Sequence, residues 1–213
     1  MAETEGVIKY RLQFELAEPP VEDLSELNVW RSILHGLQLI GQDATRYQGY
    51  GFGNLSMRSK LDPAQFYISG TQTGHLAELQ DAHYARILQT DIRHNFVQAR
   101  GRVEPSSEAL THAMFYRLNP RIQCVIHVHS AELWHYGLQH AVPATDANIA
   151  YGTTQMAQEI ERLYQSSELS QCRTLVMAGH EDGVICFGES IDLAGQALLT
   201  LWVEATTDNR FQG

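Results

Sequence analysis

Residues 124–130 constrain the fold of this chain most strongly. Their sequence, CVIHVHS, is mostly apolar and β-branched, which predicts a buried strand. Side chains two residues apart on a strand point to the same side, so His127 and His129 face one point at the strand end. Two such imidazoles form half of a metal site, because zinc binds two or three histidines together with a carboxylate or a water. The sequence therefore predicts a metal site at the end of a core strand.

The third metal ligand is predicted at the end of another strand. His180 follows the apolar run LVMAG and precedes Glu181-Asp182-Gly183, whose composition suits a hairpin turn. His112 is the alternative, because it lies four residues after Glu108 on the same face of a predicted helix. It could equally be a hydrogen-bond partner of that carboxylate. Both histidines stay candidates at this stage.

Glu108 is the candidate acid/base residue. An acidic side chain in the first turn of a helix is also favoured by the helix dipole, so its position alone indicates little. Beside a divalent cation, however, a carboxylate is held in place and its proton affinity is tuned. The combination of Glu108 with the histidines therefore predicts a general base at the metal site.

Three small polar loops predict a phosphate site. Ser106 and Ser107 stand at a predicted helix start, where hydroxyls and unpaired backbone N–H groups bind anions. Residues 51–54 offer an amide side chain and accessible backbone. Residues 69–74 offer hydroxyls and a glycine turn. Together these loops can bind one phosphate without any arginine.

The remaining pattern predicts a layered fold of helices and hairpins. Residues 8–16 alternate between apolar and polar, which indicates an added N-terminal strand within residues 1–22. We expect a single domain over residues 1–213, because no linker interrupts the chain. Helices are predicted at residues 23–41, 81–90, 105–118, 131–138, 153–165 and 190–205, and strands at 54–58, 65–69, 122–129, 174–178 and 184–187.

The composition excludes several classes of function. The formal net charge of −10 argues against nucleic acid or an anionic membrane as the main partner, since both need a basic surface. It does not exclude a small anionic substrate. No signal-peptide pattern begins the chain, and its apolar stretches are too short to cross a bilayer. A cytoplasmic protein with no membrane and no nucleic-acid partner is predicted.

An ordered set of short motifs resembles the class II aldolase/adducin family. The motifs match in order over roughly residues 25 to 205, and their combination is specific. They are Gly53-Asn54-Leu55-Ser56, Thr71-Gln72-Thr73-Gly74, Pro105-Ser106-Ser107-Glu108, His127-Val128-His129-Ser130, Tyr151-Gly152-Thr153 and His180 with its hairpin.

The resemblance implies both a fold and a site. The fold is α/β, a three-layer α/β/α sandwich with a mainly antiparallel central sheet. Zn²⁺, or another divalent metal, is implied on His127, His129 and His180, with Glu108 as the acid/base. Family members are commonly homotetramers with the active site between subunits. The substrate phosphate is implied to be held by Asn54, Thr73, Gly74, Ser106 and Ser107.

The implied function is a zinc-dependent lyase that acts on a small phosphorylated ketose, or a related hydroxy-carbonyl compound, through a metal-stabilised ene-diolate. Aldol cleavage is the first interpretation. A dehydratase or an epimerase on the same scaffold is the alternative, although epimerases of this pattern usually carry Asp at position 108. A non-catalytic, adducin-like oligomeric scaffold is a third interpretation. One departure from the family is the pair Glu181-Asp182, because His is usually followed directly by Gly there and either acid could enter the metal shell.

Overall fold

The computed structural model describes residues 6–212 and contains ten strands and six α-helices. The strands are β1 Arg11–Leu16, β2 Gly41–Gln42, β3 Gly51–Phe52, β4 Asn54–Arg58, β5 Phe66–Ser69, β6 Tyr84–Asp91, β7 Phe96–Gly101, β8 Cys124–His129, β9 Thr174–Val176 and β10 Gly183–Gly188. The helices are α1 Ser25–Gly36, α2 Ala109–Leu118, α3 Ala131–Gln139, α4 Thr154–Ser166, α5 Leu169–Cys172 and α6 Ile191–Gln212.

Eight of the strands form one sheet in the order β1-β7-β6-β5-β4-β8-β10-β9. The first pair, β1 with β7, is parallel, and the other pairs are antiparallel. The main sheet is therefore mixed, which corrects the prediction of a mainly antiparallel sheet. The physical reason is β1, the N-terminal strand. It is not joined to β7 by a hairpin, and it pairs at the sheet edge in the same direction as β7. Short β2 and β3 form a separate antiparallel pair.

Helices cover both faces of the sheet. One buried cluster joins α2, α4 and α5 to one face, and a second joins α1, α3 and α6 to the other. On β8 the alternation is clear, since Val125 belongs to the first cluster while Cys124, Ile126 and Val128 belong to the second. His127 and His129 therefore share the face of Val125 and α2, as expected from the period of two.

One predicted helix is wrong. Residues 81–90 were expected to be weakly helical, but only a single 3-10 turn, Asp81–His83, precedes the strand β6. This strand lies between β5 and β7, so pairing on both edges outweighs its weak helical propensity. Helix α2 begins at Ala109 and not at residue 105, which leaves the preceding turn as irregular backbone. Among residues 6–212, no helix has both the length and the apolar character needed to cross a membrane.

Candidate metal and anion site

Three histidines converge at one end of the sheet. His127 and His129 lie at the end of β8, and His180 lies in the loop between β9 and β10. One nitrogen of each ring lies within 4.8 Å of the others. This cluster forms because β10 pairs with β8 in a register that places Gly183 opposite His129. The hairpin therefore brings His180 back to the strand that carries the other two rings.

The close fit of the three rings requires a glycine at position 183. A Cβ atom there would lie 2.8 Å from His180 Cδ2 and 3.3 Å from His127 Cε1. Real Cβ contacts are rarely so short, so a larger residue would push two of the three imidazoles apart. The glycine after the turn is thus explained by the space it leaves for the histidines.

Burial keeps the three imidazoles neutral. His127 is completely buried, and desolvation lowers its pKa from 6.5 to about 4. Burial is also the main cause that lowers the pKa of His129 and of His180 well below the ordinary value, and a second charge beside the neighbouring imidazoles would be repelled as well. His127 Nδ1 donates to the carbonyl oxygen of Val184 at 3.2 Å, so its Nε2 carries the lone pair. That Nε2 lies 3.0 Å from His129 Nε2, inside the cluster.

The donor set fits a divalent metal. Neutral imidazoles are the form that binds zinc, and a backbone carbonyl that holds the opposite ring nitrogen is a usual orienting contact. Within the described part of the chain, the group of side chains close enough to hold a metal consists of these three histidines. Three nitrogen ligands match catalytic zinc sites, in which further positions are left to water or substrate.

Glu108 lies directly beside the histidine cluster. Its Oε2 is 3.3 Å from His127 Nε2, and its Oε1 is 3.7 Å from His180 Nε2. The side chain is buried, with 1% of its surface exposed. It projects from the turn that precedes α2, at the residue that caps this helix. A carboxylate so placed can accept or donate a proton next to a ligand bound at the histidines.

His112, the alternative third ligand, lies outside the cluster. Its Nδ1 is 2.7 Å from Ser56 Oγ, which is in turn 2.6 Å from Tyr116 Oη. Burial lowers the pKa of His112 well below its ordinary value. The structure gathers His180, and not His112, with the two histidines of β8, which favours His180 as the third ligand.

A small cradle adjoins the histidine cluster. Its lining includes all five residues that were predicted to bind phosphate: Asn54, Thr73, Gly74, Ser106 and Ser107. Asn54 pairs with His127 in the sheet, so the cradle and the cluster share adjacent strands. The buried Oδ1 of Asn54 has no hydrogen-bond partner among the described residues, so this acceptor is available to a donor group of a ligand. The start of α2 adds a helix N-terminus.

The acidic pair after His180 has a structural role. Asp182 adopts a left-handed backbone, with φ of +63°, at the hairpin turn. Its Oδ2 accepts a hydrogen bond of 2.6 Å from Tyr47 Oη. The Tyr47 ring meets the His129 ring edge-on, with centroids 4.7 Å apart. Burial and then the bond to Asp182 raise the pKa of Tyr47. Asp182 therefore ties the hairpin to the wall of the site and is outside the metal-binding group.

Three residues at the site were missed by sequence reasoning. Besides Tyr47, the ring of Tyr151 packs against His180 at a centroid distance of 4.5 Å. Lys9 then places its ammonium 3.6 Å from the centre of the Tyr151 ring. Tyr151 belongs to one of the motifs noted in the sequence, so a signal existed for it. Lys9 is 142 residues away from its partner, and no local pattern could have joined them.

Comparisons with known proteins agree with this geometry. A family model described as the class II aldolase and adducin N-terminal domain matches residues 42–204. Among characterised proteins, the methylthioribulose-1-phosphate dehydratase of Leptospira biflexa is 25% identical over 173 residues, which cover 68% of this chain and 80% of that protein.

Solved structures show the same fold at low identity. An L-fuculose 1-phosphate aldolase superposes with a TM-score of 0.63 and 18% identity, covering 90% of this chain and 89% of that one. A sugar-phosphate aldolase from Thermotoga maritima gives a TM-score of 0.65 and 15% identity, with 87% and 92% covered. At these identities the likeness establishes the fold alone.

Proposed function

Because the chain belongs to the class II aldolase and adducin family, we propose that it is a zinc-dependent lyase acting on a small phosphorylated ketose. One observation supports this above all. A buried cluster of three neutral histidines, a buried carboxylate and a polar cradle lie side by side at one end of the sheet. These parts suit a ligand that carries a carbonyl group at one end and a phosphate at the other.

His127, His129 and His180 would hold the metal. A bound divalent cation would supply Lewis-acid stabilisation of negative charge on the oxygens of the substrate. Three imidazoles favour Zn²⁺ over Mg²⁺ or Ca²⁺, which prefer oxygen ligands. The His127–Val184 contact would keep the ligating nitrogen directed to the cluster.

Glu108 would move the proton. In aldol condensation it would remove a hydrogen from the carbon next to the carbonyl of a phosphorylated three-carbon ketone, giving an ene-diolate. In cleavage the hydroxyl group beside the breaking carbon–carbon bond would lose its proton to solvent and become the aldehyde carbonyl, and protonated Glu108 would then give its proton to the carbon of the ene-diolate. The burial of Glu108 removes competing water, and its carboxylate lies 3.3 Å from His127 Nε2 and 3.7 Å from His180 Nε2, beside the place where the metal would be held.

Asn54, Thr73, Gly74, Ser106 and Ser107 would bind the phosphate group. Hydroxyl, amide and backbone donors can together replace the hydration of an anion. Binding energy from this remote group would orient the carbonyl end of the substrate toward Glu108.

Dehydration is the second candidate reaction. The relative that supports it is the methylthioribulose-1-phosphate dehydratase, which shares 25% identity with this chain. The same Glu108 would remove a proton from the carbon beside the carbonyl, and the hydroxyl group on the neighbouring carbon would take up a proton and leave as water. Dehydration would thus begin with the same proton removal as aldol condensation, whereas cleavage would end with proton delivery to that carbon.

A screen of phosphorylated ketoses tests the proposal. The purified protein, with its metal content measured, would be incubated with L-fuculose 1-phosphate and with methylthioribulose 1-phosphate, and products followed by NMR. Aldehyde plus dihydroxyacetone phosphate would indicate cleavage, and a diketone phosphate would indicate dehydration. A protein that holds stoichiometric zinc but consumes neither compound nor related ketose phosphates would contradict the proposal. A protein without any divalent metal would favour the adducin-like scaffold.

The proposal includes assembly into a homotetramer. Apolar side chains on the outer faces of α1 and α6, such as Val29 and Val203, are 59% and 66% exposed and could be covered by neighbouring subunits. Sedimentation equilibrium would measure the mass. A cytoplasmic location stays a prediction from the sequence.

A further inference from the structure

An N-terminal segment, residues 6–10, lies against residues of the proposed site; we refer to it as the strap. Three contacts hold it there. Val7 N donates to Tyr151 Oη at 3.2 Å, Tyr10 Oη donates to the Ser106 carbonyl at 2.8 Å, and Asn95 donates to the carbonyl of Lys9 at 2.8 Å. After the strap, β1 pairs with β7 and fixes the chain at the sheet edge.

The first residue of the strap forms part of the anion cradle. Gly6 lines it together with Gly74 and Ser107. Its φ of +71° is in the left-handed region, and a Cβ atom would lie 2.4 Å from Gln72 Nε2. The positive φ favours glycine at this position. The strap lies outside residues 42–204, the region that the family model matches.

Lys9 of the strap lies near the cradle and contacts the tyrosine that packs on His180. Its Nζ donates to the Tyr151 carbonyl at 3.2 Å and sits over the Tyr151 ring, which itself packs on His180. A Cβ atom on Gly152 would lie 3.1 Å from the Ser107 carbonyl and 3.9 Å from Lys9 Cδ, so the lysine stem runs beside the cradle. The side chain is half-buried.

The described lining of the cradle supplies no cation of its own. Its described lining residues are glycines, hydroxyl residues and amides, and none of them carries a positive charge. The Glu108 carboxylate follows Ser107 directly, so a phosphate dianion would be placed near a negative charge. An ammonium group beside the cradle would offset that repulsion and add charge-assisted hydrogen bonds.

We propose that Lys9 is an anion-binding residue of this site and that the strap delivers it to the substrate's phosphate group. This rests on the proposed function, because the anion is taken to be the phosphate of the ketose. Lysine is suited to the role as a compact charge on a flexible stem, which can turn from the Tyr151 carbonyl to a bound anion.

The chain offers a matched control, since Lys9 and Lys60 are its only two lysines. Lys60 is exposed and follows β4 at the end opposite Asn54. We would compare the zinc-loaded wild type with three zinc-loaded single variants of it: Lys9→Gln, Lys60→Gln and Lys9→Arg. Calorimetry would give the dissociation constants of inorganic phosphate and dihydroxyacetone phosphate, and elemental analysis the zinc content.

Lys9→Gln should weaken phosphate binding by roughly ten- to a hundred-fold, as expected for loss of a charged hydrogen-bond donor. Lys60→Gln should change it by less than about two-fold, since exposed distant charges are screened. Lys9→Arg should recover part of the loss. Zinc content should be equal in all four proteins. Bound phosphate should also protect Lys9, but not Lys60, from acetylation in a mass-spectrometric assay.

The outcomes separate this inference from the proposed function. Equal phosphate binding by Lys9→Gln and wild type would overturn the role of Lys9 and leave the lyase proposal intact. Equal losses of phosphate affinity in Lys9→Gln and Lys60→Gln would also overturn the role of Lys9, because the effect would then come from the net charge of the protein and not from the position of Lys9. Loss of zinc from Lys9→Gln would overturn the role as well, because the substitution would then act on the structure of the metal site and not on the bound anion. No phosphate binding by the wild type would overturn both proposals.

Discussion

Replacing His127 with asparagine should flatten the pH dependence of stability in the metal-stripped protein. His127 is completely buried, and its pKa falls from 6.5 to about 4 because the folded environment disfavours the cation. In the unfolded chain the pKa returns to the ordinary value. Between these two values the unfolded state binds a proton that the folded state does not. The free energy of unfolding therefore decreases as the pH falls below about 6.5, and levels off near pH 4.

The size of the effect follows from the two pKa values. Proton linkage for a single group with these values lowers the free energy of unfolding by about 2 kcal/mol between pH 7 and pH 5. His129 and His180 act in the same direction, because burial lowers their pKa as well. An asparagine side chain cannot titrate, so the His127→Asn variant should lose about 2 kcal/mol less than wild type over this interval. The comparison within each protein cancels any pH-independent cost of the substitution.

Urea unfolding of the chelator-treated proteins at pH 7 and pH 5 would measure this difference. The His75→Asn variant, which replaces an exposed histidine outside the cluster, supplies the matched control. Equal changes in unfolding free energy for wild type and His127→Asn would refute the reasoning. With metal restored, the wild type should lose stability more steeply in acid, because protons and metal compete for the same nitrogens.

Two further variants test the metal and the anion. His129→Ala should lose most of the bound zinc while His112→Ala, whose imidazole contacts Ser56 outside the cluster, keeps it; full zinc retention by His129→Ala in elemental analysis would remove His129 from the ligand set. Ser107→Asp should abolish the thermal protection that phosphate gives the wild type, since a carboxylate would stand in the cradle, whereas exposed Ser166→Asp should retain it. Unchanged protection in Ser107→Asp would place the anion elsewhere.

The histidine pair was predictable because its geometry is local. A strand fixes side chains at i and i+2 on one side, and the apolar sequence of β8 identified it as a strand. The position of His180 beside this pair depends on the register in which β10 pairs with β8. The composition of the turn indicated a hairpin but did not define that register. The sequence alone could not choose between His180 and His112 as the third ligand. Helix periodicity places His112 on the same face as Glu108, but it does not show that the imidazole contacts Ser56.

Long-range packing accounts for what the sequence did not reveal. The parallel pairing of β1 with β7 depends on the path of the chain around the sheet edge. No local sequence pattern indicates that path, so the mixed sheet was not predicted. Lys9 reaches Tyr151 only because that strand is anchored there. Tyr47 and Asp182 are 135 residues apart, and their hydrogen bond gives the acidic insertion a role that composition could not assign.

The central claim is that Glu108 moves a proton beside a metal held by three histidines. Turnover of the phosphorylated ketose found in the screen, compared between wild type and Glu108→Gln at equal zinc content, tests it most directly. The amide keeps the shape of the side chain but cannot accept a proton at neutral pH. The account predicts a variant that is folded, binds substrate and turns over roughly 10²–10⁴-fold more slowly. Near-wild-type turnover in Glu108→Gln would contradict the account.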